Sequence, residues 1–430
     1  MTTSAPTRPQ MSRRRQLFAA SIGNLVEWYD WYAYSYLAMY FSTQFFPADS
    51  SSSLVPLLST FGVFAVGFFM RPLGGLLLGT IADRYGRRTA LTVTITLMGS
   101  GSLVIALTPN YAQIGILAPV LLVVARLAQG LSAGGEYSAS ATFIIESAPP
   151  QRRGLFSGYW YVSSSTGKIL CLALISAFSV LLGDAAMREF GWRVPFLLGA
   201  VFALVGWWIR RHSEETHDAA EQIREGRVRR PGVFEFVRTY PRKALEVFGL
   251  AAGPAVCIYV WTAFLPTYAV ITAGFDESRS LAVSTIALVF FALIQPLAGA
   301  LSDRIGRKPM FYAFTVGSAI ATVPLLSAVS SSFWVLLLVQ CCGMLLLAAH
   351  TSINAAVNVE LYPSRVRGTG IGFPYAMAMA IFGGTTPTIG TWLHSIGHSD
   401  LFGWFVVACV LITFGTVLTL RETARAPLQS

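Results

Sequence analysis

GTIADRYGRR (Gly79 to Arg88) returns 220 residues later as GALSDRIGRK (Gly299 to Lys308), and this recurrence decides the architecture. A second echo keeps nearly the same offset. Glu146 followed by PPQRRG (to Gly154) reappears 214 residues on as Glu360 followed by PSRVRG (to Gly368). Two motifs recurring at almost one spacing, each between the same pair of apolar stretches within its half, indicate duplication of a six-helix unit.

The composition names the solvent those helices face. The chain has 430 residues, 54% hydrophobic and only 12% charged, about half the charged fraction of a soluble domain. So few charges cannot cover a water-facing surface, which excludes a soluble enzyme and a nucleic-acid-binding protein despite a net charge of +10. Basic charge on such a chain reports membrane orientation. The five cysteines (Cys171, Cys257, Cys341, Cys342 and Cys409) are odd in number and lie in apolar stretches without metal-ligand spacing. Neither a disulfide framework nor a metal or cofactor site is expected. Arg13 to Arg15 precede an apolar segment that contains Glu27 and Asp30 and has no small-residue cleavage site, so it reads as a retained first span.

A membrane-crossing helix needs about 20 mostly apolar residues. Cutting at charged or Pro/Gly-rich breaks predicts twelve spans, starting near Gln16, Leu54, Thr89, Ile114, Leu155 and Gly191, then near Ala244, Ser280, Met310, Phe333, Gly370 and Phe402. The expected organisation is a tail (1–15), a six-helix bundle (16–211), a charged linker (212–241), a second bundle (242–421) and a short tail (422–430). With both termini inside, 25 of the 31 Lys and Arg fall on tails, linker or even-numbered loops. That asymmetry predicts cytoplasmic termini.

The loop motif G-x-x-x-D-R-x-G-R-R/K, present twice, together with Arg126, Gln129 and Gly130 in the fourth span, resembles the major facilitator superfamily. Within it, GNLVEWYDWYAY, MRPLGG and QGLSAGGEY resemble the metabolite:proton symporters. ARLAQGLSAGGEYSASATF, AAMREFGWRVPF and LIQPLAGALSDRIGR bring the likeness nearest the alpha-ketoglutarate permeases. The likeness runs from about Gly23 to Gly397. It implies an all-α membrane fold of two pseudo-symmetric bundles, working as a monomer in the bacterial inner membrane by alternating access. Repeats of this kind place the transport site at the interface of the halves, near the midplane.

The loop motif also has a mechanical reading. Asp83 and Asp303 follow a span and precede basic clusters that include Arg87 and Arg307. A carboxylate there can accept hydrogen bonds from a neighbouring helix N-terminus or from arginine. The resemblance implies that this latch keeps the cytoplasmic side closed in the outward-facing state; positive-inside topology accounts for part of the basic residues as well.

Ionisable residues inside spans are costly, so each is a functional candidate. The first half carries Glu27, Asp30, Arg71, Arg126, Glu136 and Lys168; the second carries only His350. At about 1.5 Å per residue, five of these share a midplane layer, with Glu136 nearer the cytoplasm. Glu27 and Asp30, three apart on one helix, and Tyr34 continue one face. Two carboxylates close together in low dielectric do not both ionise readily, which suits proton coupling; both acids could equally neutralise Arg71 and Arg126. Glu136 is either a second proton stop or a packing-locked salt bridge. Lys168, one of only three lysines, lies outside the shared motifs, where the ketoglutarate-type relatives would carry an uncharged polar residue. A cation added at the midplane calls for an anionic ligand or an acid on the first span. His350 is a neutral hydrogen-bonding group or a proton carrier, and Tyr259, Asn354 and Tyr375 are expected to face the cavity.

These readings combine into proton-coupled uptake of a small organic anion, with 2-oxoglutarate or a related dicarboxylate implied by the resemblance. The alternatives are a shikimate-like acid, a tricarboxylate, a zwitterionic osmolyte such as proline or betaine, or export driven by protons. The osmosensing branch carries a longer C-terminal extension than the ten residues that follow Leu420.

Overall fold

The computed structural model describes residues 13–47, 54–85, 87–134, 136–211, 238–362, 367–424 and 428; within these, the side chains of 13–24, 79–80, 82–85, 87–88, 91, 136, 138–139, 143, 209–211 and 367–369 are not described. Every regular element among them is helical, and together they make twelve spans. In the first half α1 is Arg13–Phe45, and α2 runs Val55–Phe69, pauses at Met70 and continues as Arg71–Tyr85. Next come α3 (Arg87–Leu107), α4 (Leu117–Ala133, resuming as Glu136–Glu146), α5 (Arg153–Ala186) and α6 (Arg193–Arg211). In the second half α7 runs Pro241–Tyr259 and, past a π-helical turn at Val260–Phe264, continues as Leu265–Ala273. It is followed by α8 (Glu277–Ile305), α9 (Arg307–Ser327) and α10 (Phe333–Glu360). Then α11 runs Arg367–Ala378 and, past a second π turn at Met379–Gly383, continues as Thr386–Ser395, before α12 (Asp400–Thr419).

Each span begins within three residues of its predicted start. Among the described residues most begin slightly early because the helices run past the apolar stretch into charged ends, as at Arg153. Thus α1 takes in Arg13 to Arg15, assigned above to the tail. Most of the linker, 212–237, lies outside the described residues. Seven helices among those described are long and apolar enough to cross a membrane by length and composition. Of the remaining spans, α3 and α6 contribute shorter apolar helices (Thr92–Leu107 and Arg193–Trp208), while α1 carries buried charge and α4 and α11 are broken, features that position the site.

Close backbone approach sets the geometry of the first bundle. The Gly67 and Arg71 carbonyls and Gly74 on α2 lie so near Gly130, Gly134 and Leu131 of α4 that a Cβ on Gly74, Gly130 or Gly134 would collide. Small residues permit such contact between spans, where dispersion and weak hydrogen bonds replace the hydrophobic effect. The two halves meet in the same way. Gly154 and Gly158 of α5 abut Gly299 and Gln295 of α8, and Gly384 of α11 receives the ring of Phe68 on α2. At the end where α1 finishes, α1 is tied to α7: Tyr32 Oη lies 2.7 Å from Thr262 Oγ1, and the Tyr36 hydroxyl donates to the Thr262 carbonyl.

Candidate functional site

A cavity lies between the bundles, lined among others by Glu27, Trp28, Arg71, Tyr137, Trp160 and Tyr375. Its volume is about 30 Å³, on the scale of a water molecule or two. The space left between these side chains is thus smaller than an organic acid.

Arg71 sits at the restart of α2, held there by the close packing on α4. Its guanidinium carbon lies 4.2 Å from the ring centroid of Trp31 and 4.2 Å from that of Phe68. Arg126 contacts the same indole, its guanidinium carbon 5.2 Å from the Trp31 centroid and 3.7 Å from that of Tyr34. Trp31 thus contacts two guanidinium groups. Arg126 donates to Gln129 Oε1 at 2.8 Å, and Gln129 in turn donates to Ser102 Oγ at 2.8 Å. Nε and one terminal nitrogen of each arginine find no hydrogen-bond acceptor among the described residues.

Lys168, 1% exposed, rests its ammonium over Trp28 at 4.4 Å and Tyr32 at 4.9 Å. No ion pair involves it among the described residues. Two desolvated ring contacts contribute about 2 kcal/mol each, while burying an ammonium costs several kcal/mol even after relaxation. The rings cushion the charge without replacing a carboxylate.

The two acids of α1 diverge. Asp30 is fully buried and aims at α6, where a Cβ on Gly199 would strike its Oδ1. Both its oxygens lack a hydrogen-bond partner among the described residues. Glu27 faces the cavity with Arg71. Three residues fall about 60° short of a full helical turn, enough here to send one carboxylate into the bundle and the other to its interface.

The remaining predicted residues fall in three places. Tyr34 donates to the Thr60 carbonyl at 2.9 Å, and Tyr259 is stacked on Tyr32 at 6.1 Å with its hydroxyl unpaired among the described residues. Tyr375 lies flat against Tyr137, centroids 4.1 Å apart and planes 10° apart. Asn354 is buried and donates to Tyr137 Oη at 2.7 Å. His350 is set apart from the charge layer, packed between Phe311 and Phe314 with both ring nitrogens unpaired among the described residues. Glu136 opens the second segment of α4, but its side chain, like those of Asp83 and Arg87, lies outside the described residues.

The second copy of the loop motif is described in full. Asp303 Oδ1 and Oδ2 accept the backbone N–H groups of Gly154 at 2.8 Å and Leu155 at 2.9 Å, at the N-terminus of α5. Arg307 clamps Asp303 at 2.9 Å and Glu360 at 3.1 Å. Behind them, Thr423 donates to Glu360 at 2.7 Å, and the Glu422 carboxylate accepts the N–H groups of Arg307 and Lys308 at 2.9 and 3.0 Å. Glu360 stood in the quoted repeat without a role; its recurrence after the tenth span was the signal. Trp31 and Tyr137 stood beside singled-out acids in EWYDW and GGEY, whereas nothing in the sequence pointed to Ser102.

Comparison with known proteins agrees with this architecture. The Major Facilitator Superfamily pattern matches residues 20–291 and 280–429. The chain is 42% identical over 418 residues to the alpha-ketoglutarate permease of Escherichia coli (strain K12), covering 96% of this chain and 95% of that one. It is 32% identical over 431 residues to the glycine betaine/proline/ectoine/pipecolic acid transporter OusA of Dickeya dadantii (strain 3937), covering 97% and 85%. Among solved structures, a D-xylose-proton symporter superposes with a TM-score of 0.76 at 20% identity, over 96% of this chain and 99% of that one. Twelve helical spans, a duplicated loop motif and a site between the bundles belong together: this chain is a member of the major facilitator superfamily, a family of membrane transporters and not of enzymes.

Proposed function

We propose that this chain takes up a small dicarboxylate, 2-oxoglutarate or a close relative, together with protons. The observation that carries the reading is the pair of buried cations, Arg71 and Lys168, that have no ion-pair partner among the described residues. A dianion between them supplies the missing carboxylates, and the 42% identical permease supports an oxo-dicarboxylate. Glu27 and Asp30 exchange the proton, Arg126 links acid to ligand, and Glu136 serves as an inner proton stop. Tyr34, Tyr259, Asn354 and Tyr375 complete the ligand surroundings, with His350 behind them as a neutral packing group between Phe311 and Phe314, and Asp83, Arg87, Asp303 and Arg307 form the gating latch. Protons carried with the anion offset charge movement, worth about 2.3 kcal/mol per charge per 100 mV. The chain acts as a monomer in the bacterial inner membrane, with both termini in the cytoplasm and bundles at 16–211 and 242–421.

Uptake of labelled 2-oxoglutarate and succinate into proteoliposomes, with and without an imposed inward proton gradient, tests the proposal. Stimulation by the gradient is expected, with proline and betaine neither transported nor competing. Uptake indifferent to the gradient overturns the coupling, and transport of betaine in preference to dicarboxylates overturns the substrate class.

A further inference from the structure

We propose that Tyr137 is a ligand-binding residue whose hydroxyl presents a hydrogen-bond donor, and only a donor, to a carboxylate lying in the cavity beside Arg71. This deepens the anion reading and rests on it. A tyrosine hydroxyl has one proton to give and two positions at which to accept. On Tyr137 both accepting positions are filled. Nδ2 of Asn354 donates at 2.7 Å and Nδ2 of Asn358 at 2.9 Å. The two amides are fixed against each other, Asn358 Nδ2 also donating to Asn354 Oδ1 at 3.2 Å.

What is left to Tyr137 is its O–H proton, which has no acceptor within reach among the described residues, while the residue lines the same cavity as Arg71 and Glu27. An oxygen saturated as an acceptor offers nothing to a ligand N–H or O–H and favours a carboxylate or keto oxygen. The ring is held as firmly as the hydroxyl. Tyr375 covers one face at 4.1 Å, and Trp160 meets it edge-on at 5.2 Å and 80°. A donor already fixed loses little freedom when the ligand arrives.

The arrangement also spans the bundles. Tyr137 belongs to α4, while Asn354 and Asn358 belong to α10. The donor is therefore oriented only while the bundles are together at this level. Ligand affinity then differs between the two facing states, as a ligand-driven population shift requires. Asn354 and Asn358 act as positioning residues through Tyr137.

The test is the KM and Vmax of labelled 2-oxoglutarate uptake in proteoliposomes for the wild type, Tyr137→Phe, Asn354→Leu and the double variant. Tyr137→Phe keeps the ring stack and removes only the hydroxyl. Its KM is expected to rise about tenfold or more, the scale of a hydrogen bond to a charged group, with Vmax within about twofold. Asn354→Leu raises KM by a smaller factor on its own and adds nothing once Tyr137→Phe is in place. A wild-type KM for Tyr137→Phe overturns the proposal and leaves the anion reading standing. So does a fall in Vmax at unchanged KM, the mark of a purely structural role. An Asn354→Leu effect that persists in the double variant overturns the positioning role, because the amide then touches the ligand directly. A wild-type chain that transports none of the carboxylates overturns the anion reading and this proposal together.

Discussion

Asp303 on α8 accepts the backbone N–H of Gly154 on α5 at 2.8 Å, so a single carboxylate joins the two bundles at the end where α5 begins. Its second oxygen takes the N–H of Leu155, and Arg307 holds it from behind. Hydrogen bonds to charged groups contribute about 1.5–3 kcal/mol each. Asp303→Asn keeps the shape and removes the charge, and it should weaken this closed state by about 3 kcal/mol, roughly a hundredfold in population. A cysteine introduced by Ala376→Cys, on the cavity wall, should then be alkylated at least tenfold faster by a reagent added from that side. Unchanged labelling refutes the latch.

Lys168 has aromatic rings where a counterion is expected. Lys168→Gln should raise the KM for every transported dicarboxylate at least tenfold while sparing the fold, since a buried ammonium costs several kcal/mol to keep. Equal or higher thermal stability beside weaker binding is the expected signature. If the KM for each acid stays at its wild-type value, Lys168 has no ligand role.

Asp30 is buried without a hydrogen bond among the described residues and away from the cavity. Asp30→Asn should therefore separate coupling from binding. Counterflow of labelled substrate at equal pH should persist within about threefold, a loss smaller than that of one hydrogen bond to a charge, while accumulation driven by the proton gradient disappears. Retained accumulation would assign the proton to another group, with Glu27 next in line.

Glu422 gives a pH dependence outside the membrane. Burial pushes its carboxyl up, but the N–H groups of Arg307, Lys308, Ala424 and Thr423 outweigh that and hold it below the ordinary carboxylate range. A depressed folded-state value contributes stability above the unfolded pKa, about 4.3 for glutamate, and that contribution disappears as pH falls through the lower folded value. The thermal midpoint of purified protein should fall more steeply below about pH 4.3 for the wild type than for Glu422→Gln. Parallel curves for the two proteins contradict this role.

The sequence made the architecture legible because lipid forces a simple code: apolar runs become helices, and charges mark their ends or their function. The span starts and the two-fold repeat could be read directly from it. Helix rotation could not. Glu27 and Asp30 looked like one carboxylate pair until packing against Gly199 and the cavity turned them to different neighbours. Asn354 was expected at the cavity, but its partner there, Tyr137, comes from 217 positions away and could not be read from the pattern. The latch was legible in type, a carboxylate at a helix N-terminus, yet which helix it caps depends on the bundles meeting. Contacts between halves are what a linear pattern leaves open.

The lopsided distribution of buried charge has a mechanical consequence. Arg71, Arg126, Lys168, Glu27 and Asp30 all ride on α1, α2, α4 and α5, whose spacing is locked by glycine contacts such as Gly130 on Gly67. The first bundle is thus built as a stator, its charges fixed relative to one another by close backbone contact. Around the cavity the second bundle meets it with uncharged groups, Tyr259, Tyr375 and the two asparagines, its charged contacts, Glu277 to Arg188 and Asp303 to the start of α5, lying at the two ends of α8. It can roll across the loaded site as a rotor does, while Arg188 and Glu277, paired across the bundles at the start of α8, part at the rim.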